Sequence, residues 1–569
     1  MALGGMSGTG VTRGRERPHL RISGGAALED DRPDVAPCYL HGAIALAALS
    51  GILCWVASSS WIAGWPLAFV SWAPLFVALH GRTPRQALLL GGARELVAVA
   101  VGLGWLPAVI RTFGELPWVV CWAIAFVIFA YGAGRGAAMA WLAARAEKNG
   151  WPRGLGLVLA ASGTEAVYPL LFPWPAAVQV HRAPILMQLA ELGGPVLVGI
   201  PLSMASVALA EIAWARMDGR RVDRARVLVA LAGPAAMALF GAIRVRAVEH
   251  EIAAAPKVDV AIVQGNTPQS GAGATLGRTA AIHRDATVRL QAERAVDLVV
   301  WPETALHGAL QPDMLQPTLH RLMAPADGHA RIAAPIVTGV FVQRRAGLSN
   351  SALLFADDAV RGIYDKMHPL AFGEYIPFEG TFPALRRWIP NAGEITAGTK
   401  AEPLRLGEHV ITPLICYEDI LGRSTNDAVV EANPDLLVNL TNDAWFGDSS
   451  AAAAHLAFAT FRAVEHRRYL VHAANSGISA FVDPTGKVTG ETPLLQAATS
   501  VGTLRWMRAS TLYERVGEVP WWCAAAIAFA MAFVPRGRGE RRSAGALTIG
   551  AGDGIGPRDP PRHGADSMA

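Results

Sequence analysis

Seven stretches of mostly apolar residues fill the first 250 positions of this 569-residue chain, at 39–57, 62–80, 87–110, 117–141, 154–172, 185–214 and 227–243. Crossing a hydrocarbon core of about 30 Å takes roughly 20 such residues in a helix. An eighth stretch, Val519 to Val534, reads VPWWCAAAIAFAMAFV. Only 17% of the residues are charged, against about 25% in soluble globular chains. A multi-pass membrane protein is therefore expected. The net charge of +4 gives no reason to expect a nucleic acid partner, and five cysteines exclude a disulfide-dense scaffold.

Loop charges test the count, because Lys and Arg collect on the cytoplasmic side of short loops. One side carries Arg82 and Arg85, then Arg145, Lys148 and Arg153, then Arg216, Arg220, Arg221, Arg224 and Arg226, and finally Arg536, Arg538, Arg541 and Arg542. The other carries only Arg111, Arg182, Arg244 and Arg246. Eight spans with both termini inside satisfy this alternation, which puts the block 248–518 outside. The expected organisation is a tail at 1–38, a seven-helix bundle at 39–247, an outer domain at 248–518, an eighth span at 519–535 and a tail at 536–569. The first tail lacks an early apolar run, so it does not read as a cleavable signal peptide. Both Gly- and Arg-rich tails are expected to be disordered. Arg94, Glu95, Arg135, Glu165 and Glu191 fall inside spans, where ionisable groups are costly. Pairing toward the bundle interior or snorkelling is the simplest account of them.

The outer block alternates β-rich runs (258–264, 296–303, 336–343, 351–356, 409–416, 435–443 and 478–483) with helical ones (276–295, 311–324, 420–432 and 450–468). Nearly continuous apolar strands are buried on both faces, which predicts an α/β domain with helices packed on its sheet. Ligands in such folds gather at the carboxyl ends of strands. Three residues stand at such ends. Cys416 closes HVITPLIC and precedes Tyr417, Glu418 and Asp419. A nucleophile at a strand-to-helix turn is exposed beside backbone N–H groups. Cysteines are more often inert core residues, but this one has no partner in its block and is followed by acids. Glu303 closes VDLVVWPE, and Lys366 follows the run IYD. Taken singly, Glu303 reads as readily as an N-cap or solvated loop acid, and Lys366 reads more readily as a surface lysine. Together the three supply a base, a cation and a nucleophile.

WPE (301–303), YDK (364–366), FGEYIP (372–377), CYED (416–419) and NLTNDAWFG (439–447) occur in that order. This set resembles the nitrilase, or carbon–nitrogen hydrolase, superfamily with its Glu–Lys–Cys triad. With the surrounding spans, the chain resembles the bacterial apolipoprotein N-acyltransferases, a membrane-embedded branch of that superfamily. VAIVQGNTPQ (260–269) and RAVEHRRYLVHAANSGISAFVDPTGKV (462–488) fit as well. The resemblance implies an eight-helix membrane bundle carrying an αββα sandwich on the periplasmic side of the inner membrane. It implies a phospholipid acyl donor, a diacylated apolipoprotein acceptor and no cofactor, and a monomer is expected. Neither metal-ligand spacing nor a phosphate loop is present. The chain departs from the family at PQSGAGAT (268–275), which lacks an aromatic, at SAAAAH (450–455) and at Ala371. These positions belong to loops that gate lipid and bear on substrate preference more than on the triad.

In the expected chemistry Glu303 takes the Cys416 proton as sulfur attacks an ester carbonyl. Lys366 and the Tyr417 N–H stabilise the oxyanion, and the thioester then acylates an amine. Glu374 and Glu418 are expected to orient Lys366 or Glu303, or to bind the amine. Phe372, Tyr375, Phe378, Trp445 and Phe446 are expected to wall the site against water. Two other classes compete: an exported amidase or nitrilase on a membrane tether, and a lipid-binding scaffold with a vestigial triad. Seven N-terminal spans exceed what a tether needs, and retention of all three triad residues disfavours the scaffold.

Overall fold

The computed structural model describes residues 37–59, 64–269, 273–323, 331–389 and 392–536, so nearly all of both expected tails and part of the 268–275 loop lie outside the described residues. The apolar stretches fold as helices α1 (Pro37–Ser58), α2 (Ala73–Ala78), α3 (Pro84–Gly102), α4 (Leu106–Gly114), α5 (Trp118–Lys148), α6 (Arg153–Val167), α7 (Pro184–Met187), α8 (Ala190–Met217) and α9 (Arg224–Ala254). Before Gly42 only the first turn of α1 is described, and the residues from Gly42 onward form a unit of their own.

Among the described residues, four helices are long and apolar enough to cross a membrane: Leu40–Ser58, Trp118–Lys148, Ala190–Met217 and Arg224–Ala254. The helices α3 and α4, bent by 54° at their junction, make a fifth if taken as one span. Gly102, Gly104 and Pro107 lie around that bend, and proline removes a helical hydrogen bond where it falls. The remaining expected spans fold as shorter helices. The apolar stretch Trp65–Ala78 falls short of a full crossing. The helix α6 has 15 residues, about 22 Å of helix, because Pro169, Pro173 and Pro175 follow it.

The helical part runs through Ala254, beyond the boundary expected at 247, and β1 begins at Lys257. The sandwich then comprises β1 (Lys257–Gln264), α10 (Leu276–Glu293), β2 (Leu298–Val300), β3 (Leu306–Leu310), α11 (Pro312–Met323), β4 (Ile336–Arg344), β5 (Gly347–Ala356) and β6 (Ala359–Asp365). It continues with α12 (Leu385–Trp388), β7 (Leu404–Leu406), β8 (His409–Ile415), α13 (Gly422–Ala432), β9 (Leu436–Thr441), α14 (Ala451–His466) and β10 (Tyr469–Ala474). The strands β11 (Ala480–Val482), β12 (Val488–Thr489) and β13 (Ala498–Arg505) complete it, and α15 (Leu512–Val516) and α16 (Val519–Phe533) lead back to the bundle.

Two sheets result. One has the order β13-β1-β2-β4-β5-β6, with β3 paired to β4, and the other runs β12-β11-β10-β9-β8-β7. Their inner faces meet in one core that joins Val260, Ile262 and Leu354 to Ile411, Val438 and Phe481. The outer faces are covered by α10 and α11 on one side and by α13 and α14 on the other, giving an αββα arrangement. The expected hairpin at 336–356 is the antiparallel pair β4–β5.

Arg467 anchors this sandwich to the helices. Arg467 Nε donates to Glu191 Oε2 at 2.6 Å, and Arg467 Nη1 donates to Gln188 Oε1 at 2.7 Å. Arg244 of α9 closes on the same Glu191 at 2.8 Å. Glu191, expected within a span, thus pairs with Arg467 and Arg244, and Arg94, Glu95 and Arg135 pair with one another.

Phe481 is 1% exposed, and its ring lies against the bare backbones of Gly490 and Gly502. Truncating a buried Phe to Ala costs about 3–5 kcal/mol. Phe481→Ala should lower the midpoint of thermal unfolding in detergent, read by tryptophan fluorescence. An unchanged midpoint contradicts the inter-sheet core.

Candidate active site

The strands β2, β6 and β8 each lead into a polar residue at the same edge of the sandwich. Trp301 and Pro302 carry the chain from β2 to Glu303, Lys366 directly follows β6, and Cys416 directly follows β8 and opens a 3-10 turn, Cys416–Ile420. Backbone proximity demands glycine at 339 on β4: a Cβ there would meet Glu303 Cα at 2.7 Å.

Lys366 is 1% exposed. Its Nζ lies 2.7 Å from Glu374 Oε2 and 3.7 Å from Glu303 Oε1. Asn350 Nδ2 bridges the two acids, donating to Glu303 Oε1 at 2.6 Å and to Glu374 Oε1 at 3.1 Å. The loop that carries Glu374 is closed by the Leu370 N–H, which donates to Glu374 Oε2 at 2.7 Å. Glu418 works on the backbone. Its Oε1 accepts from Tyr364 Oη (2.8 Å) and from the N–H groups of Met367 (2.7 Å) and His368 (3.1 Å), while Oε2 accepts from the Ile415 N–H at 2.8 Å. It therefore ties the end of β6 to the end of β8, holding Lys366 toward Cys416.

The electrostatics follow from burial. Desolvation works against the Lys366 charge, but Glu374 and Glu303 outweigh it and raise the ammonium pKa. Burial raises Glu303, partly offset by Lys366. Desolvation, and then the Glu303 carboxylate, push the Cys416 thiol up to about 12, with Lys366 and His455 acting in the opposite direction. At neutral pH Cys416 therefore rests as a thiol beside Glu303. Sulfur becomes nucleophilic only when a base removes its proton during attack.

A second layer lies beneath Cys416 and was not anticipated from the sequence. Cys416 has φ +52°, a left-handed conformation that costs a residue other than glycine about 1–3 kcal/mol. His455 Nε2 donates to the Cys416 carbonyl at 3.3 Å and to Asp419 Oδ1 at 2.8 Å, and His455 Nδ1 meets Asp443 Oδ1 at 3.0 Å. Each ring nitrogen faces only acceptors, so both carry protons and the ring is an imidazolium. Burial opposes that charge, but Asp419 and Asp443 outweigh it and hold the His455 pKa well above its usual value. Asp419, for its part, is held down at about 2 against its own burial, chiefly by His455. Asn439 donates to Asp419 from β9, and His472 of β10 lies 3.3 Å from it. Asp443, His455 and His472 bring donor atoms within 4.8 Å of one another. Both His455 nitrogens are already committed to carboxylates, so these residues suit an imidazolium better than a metal ion.

An apolar cavity opens beside Cys416. The helical part contributes Leu103, Trp105, Phe172 and Trp174, and the sandwich contributes Phe446 and Phe458 among others. Tyr417 also lines it and anchors it, its Oη donating to Leu171 O at 2.5 Å. Of the aromatics expected as a wall, Phe446 takes that place, its ring centroid 5.0 Å from that of Trp105. Phe372, Tyr375, Phe378 and Trp445 stand at the surface on the adjoining loops.

Residues 259–510 match the carbon-nitrogen hydrolase family, and residues 50–210 match the apolipoprotein N-acyltransferase N-terminal domain. The apolipoprotein N-acyltransferase of Geobacter metallireducens is 32% identical over 485 residues, 82% of this chain and 91% of that protein. This chain belongs to the apolipoprotein N-acyltransferase family. The Azotobacter vinelandii member is 30% identical over 496 residues, 84% of this chain and 93% of that protein. Among solved structures, an amidase of the nitrilase superfamily from Nesterenkonia is 17% identical with a TM-score of 0.34, covering 47% of this chain and 96% of that one. Glu303, Lys366 and Cys416 lie together with Glu374, Tyr417 and Glu418. Asn350, Asp443 and His455 escaped notice, and Asp419 stood out only as an acid following Cys416. Of these, Asp419 and Asp443 lie within the quoted CYED and NLTNDAWFG motifs, whereas His455 sits in the alanine-rich run SAAAAH.

With the Cys416 pKa near 12, alkylation by iodoacetamide should climb steadily from pH 7 to 10 without a plateau. His455→Gln removes a nearby cation and leaves two carboxylates, which raises the thiol pKa. A rise of about one unit slows alkylation about tenfold at pH 9. Equal rates in the two proteins contradict the imidazolium.

Proposed function

We propose that this chain N-acylates the α-amine of the diacylglyceryl cysteine that begins an apolipoprotein, taking the acyl group from a membrane phospholipid through a Cys416 thioester. The observation that carries this reading is the apolar cavity at Cys416, whose wall comes from both the helical part and the sandwich. A soluble amide needs no such wall. A fatty chain does, because binding sites for apolar ligands are concave and mostly apolar.

Glu303 removes the Cys416 proton as sulfur adds to the ester carbonyl. Lys366 and the Tyr417 N–H receive the developing oxyanion, a contribution worth about 3–4 kcal/mol per donor. Collapse breaks the ester C–O bond, Glu303 returns the proton to the departing oxygen, and a lysophospholipid leaves. The acceptor amine then adds to the thioester carbonyl and Glu303 takes its proton. As the C–S bond breaks, that proton goes to sulfur, leaving an amide and the starting thiol. The cycle is ping-pong. Glu374 keeps Lys366 charged and aimed, and Glu418 fixes the backbone that presents it. Trp445, which precedes Phe446 of the cavity wall, meets the acceptor lipid. The apolar wall keeps water from the thioester, so transfer outruns hydrolysis.

We read the helical stretches as eight crossings, with the shorter ones seated among longer neighbours. The chain then sits in the inner membrane with 248–518 in the periplasm, a reading that the loop-charge asymmetry supports. The triad and cavity are furnished by a single chain, which fits a monomer, and no nucleic acid is involved.

Purified protein with labelled phospholipid and a diacylated peptide should form N-acyl peptide, and Cys416→Ala should reduce this at least a thousandfold. Ammonia released from small amides without acyl peptide would place the chain with the hydrolases instead. Acylation undiminished in Cys416→Ala would refute the thioester.

A further inference from the structure

The charged residues inside the helical bundle take no part in the triad, yet their contacts lead to its cavity. After α6 the chain reads YPLLFPWPA from Tyr168 to Ala176. Its three prolines donate no hydrogen bond and break the helix. Irregular backbone in a membrane protein persists only where other protein groups satisfy it, and here side chains do so. Tyr131 Oη donates to Pro169 O at 2.6 Å, and Tyr417 Oη serves Leu171 O as described above. Arg135 Nη1 donates to Trp174 O at 2.9 Å, and the Ala176 N–H donates to Glu165 Oε2 at 3.0 Å.

Arg135 is itself held. Its Nε donates to Glu95 Oε1 at 3.0 Å, with a second, closer contact from Nη2. Arg94 closes on the other oxygen of Glu95, its guanidinium 4.0 Å over the Trp72 ring. Arg94 and Glu95 are each 1% exposed. Buried ions of this kind seldom add stability over apolar packing, so their presence calls for another reason. The relay Arg94–Glu95–Arg135 ends on a single carbonyl, Trp174 O, within the segment that supplies the cavity wall. Phe172 packs edge-on against Trp105 (5.8 Å between centroids) and Tyr417 (6.1 Å), and Trp174 packs edge-on against Phe458 (5.1 Å).

We propose that Arg135 and Glu165 are positioning residues for the acyl chain: by pinning the backbone from Leu171 to Ala176 they set where the Phe172–Trp174 wall stands beside Cys416, and so which chain lengths are accepted. This rests on Cys416 being the acyl acceptor. A merely structural role for the ion cluster would lower the amount of folded protein without changing the order of preference among chain lengths.

The test uses the full-length protein in detergent, offered an equimolar mixture of phosphatidylethanolamines with C12, C14, C16 and C18 chains and no peptide. Intact-mass spectrometry reads the adducts on Cys416. The wild type should favour one length at least fivefold over the least favoured, and Arg135→Leu should flatten the distribution to within twofold. Glu165→Leu should flatten it likewise, with Glu165→Gln, which keeps an acceptor for the Ala176 N–H, falling nearer the wild type. Should Arg135→Leu fail to accumulate, the two Glu165 variants decide. A wild-type distribution that mirrors the mixture overturns the inference, as does a wild-type-like preference in Arg135→Leu or Glu165→Leu. Wild-type protein without any adduct would instead sink the thioester reading on which the inference rests.

Discussion

A lysine ammonium removed from water and held by two carboxylates is the constraint around which the site is organised. Left alone, Lys366 would shed its proton on burial. Glu374 at 2.7 Å and Glu303 at 3.7 Å keep the proton on, and the three groups form one electrostatic unit. That unit needs three strand ends brought to a common edge, which is what the facing sheets provide. Glu418 spans β6 and β8, and Asn350 of β5 bridges the two acids. Once Glu303 has taken up a proton, Lys366 is free to meet one negative charge on sulfur or on a carbonyl oxygen. Such preorganisation lowers a barrier without reorganisation during reaction.

The reactive edge also faces the helices. The cavity beside Cys416 is incomplete without Leu103, Trp105, Phe172 and Trp174, so the chemistry of the sandwich and the lipid-facing part of the chain share one space. Arg467, paired with Glu191 and Gln188, prevents the two from separating. The same triad facing water would hydrolyse its thioester, whereas behind an apolar wall it can wait for an amine. The helical part thus contributes to the outcome of the reaction as well as to its location.

The meeting of Glu303, Lys366 and Cys416 at one edge was legible in the sequence because each follows a strand, and strand ends show as a polar residue after an apolar run. The αββα layering was legible for the central strands, whose runs are continuously apolar. It was obscure at β13, whose residues are half-exposed along an edge, and at β10, whose start follows directly on α14 through Arg467 and Arg468. Helices stand at all eight expected stretches, but apolarity did not reveal where prolines end them. Pro169 and its neighbours shorten α6, and Pro107 bends the path from α3 into α4. His455 was hidden for a different reason. Its role depends on two aspartates 12 and 36 residues earlier, and a histidine among alanines carries no local sign of them. The intramembrane ions Arg94, Glu95, Arg135 and Glu165 were visible as anomalies, but their connection to the cavity exists only in three dimensions.

The central claim is that one sulfur atom stores one acyl group between two half-reactions. Rapid mixing with fluorescent phospholipid and no peptide measures this directly by following lysophospholipid release. The account predicts a burst of about one lysophospholipid per enzyme molecule, then a halt that ends when diacylated peptide is added. Release that waits for peptide, or that continues unchecked without it, would contradict a stored thioester.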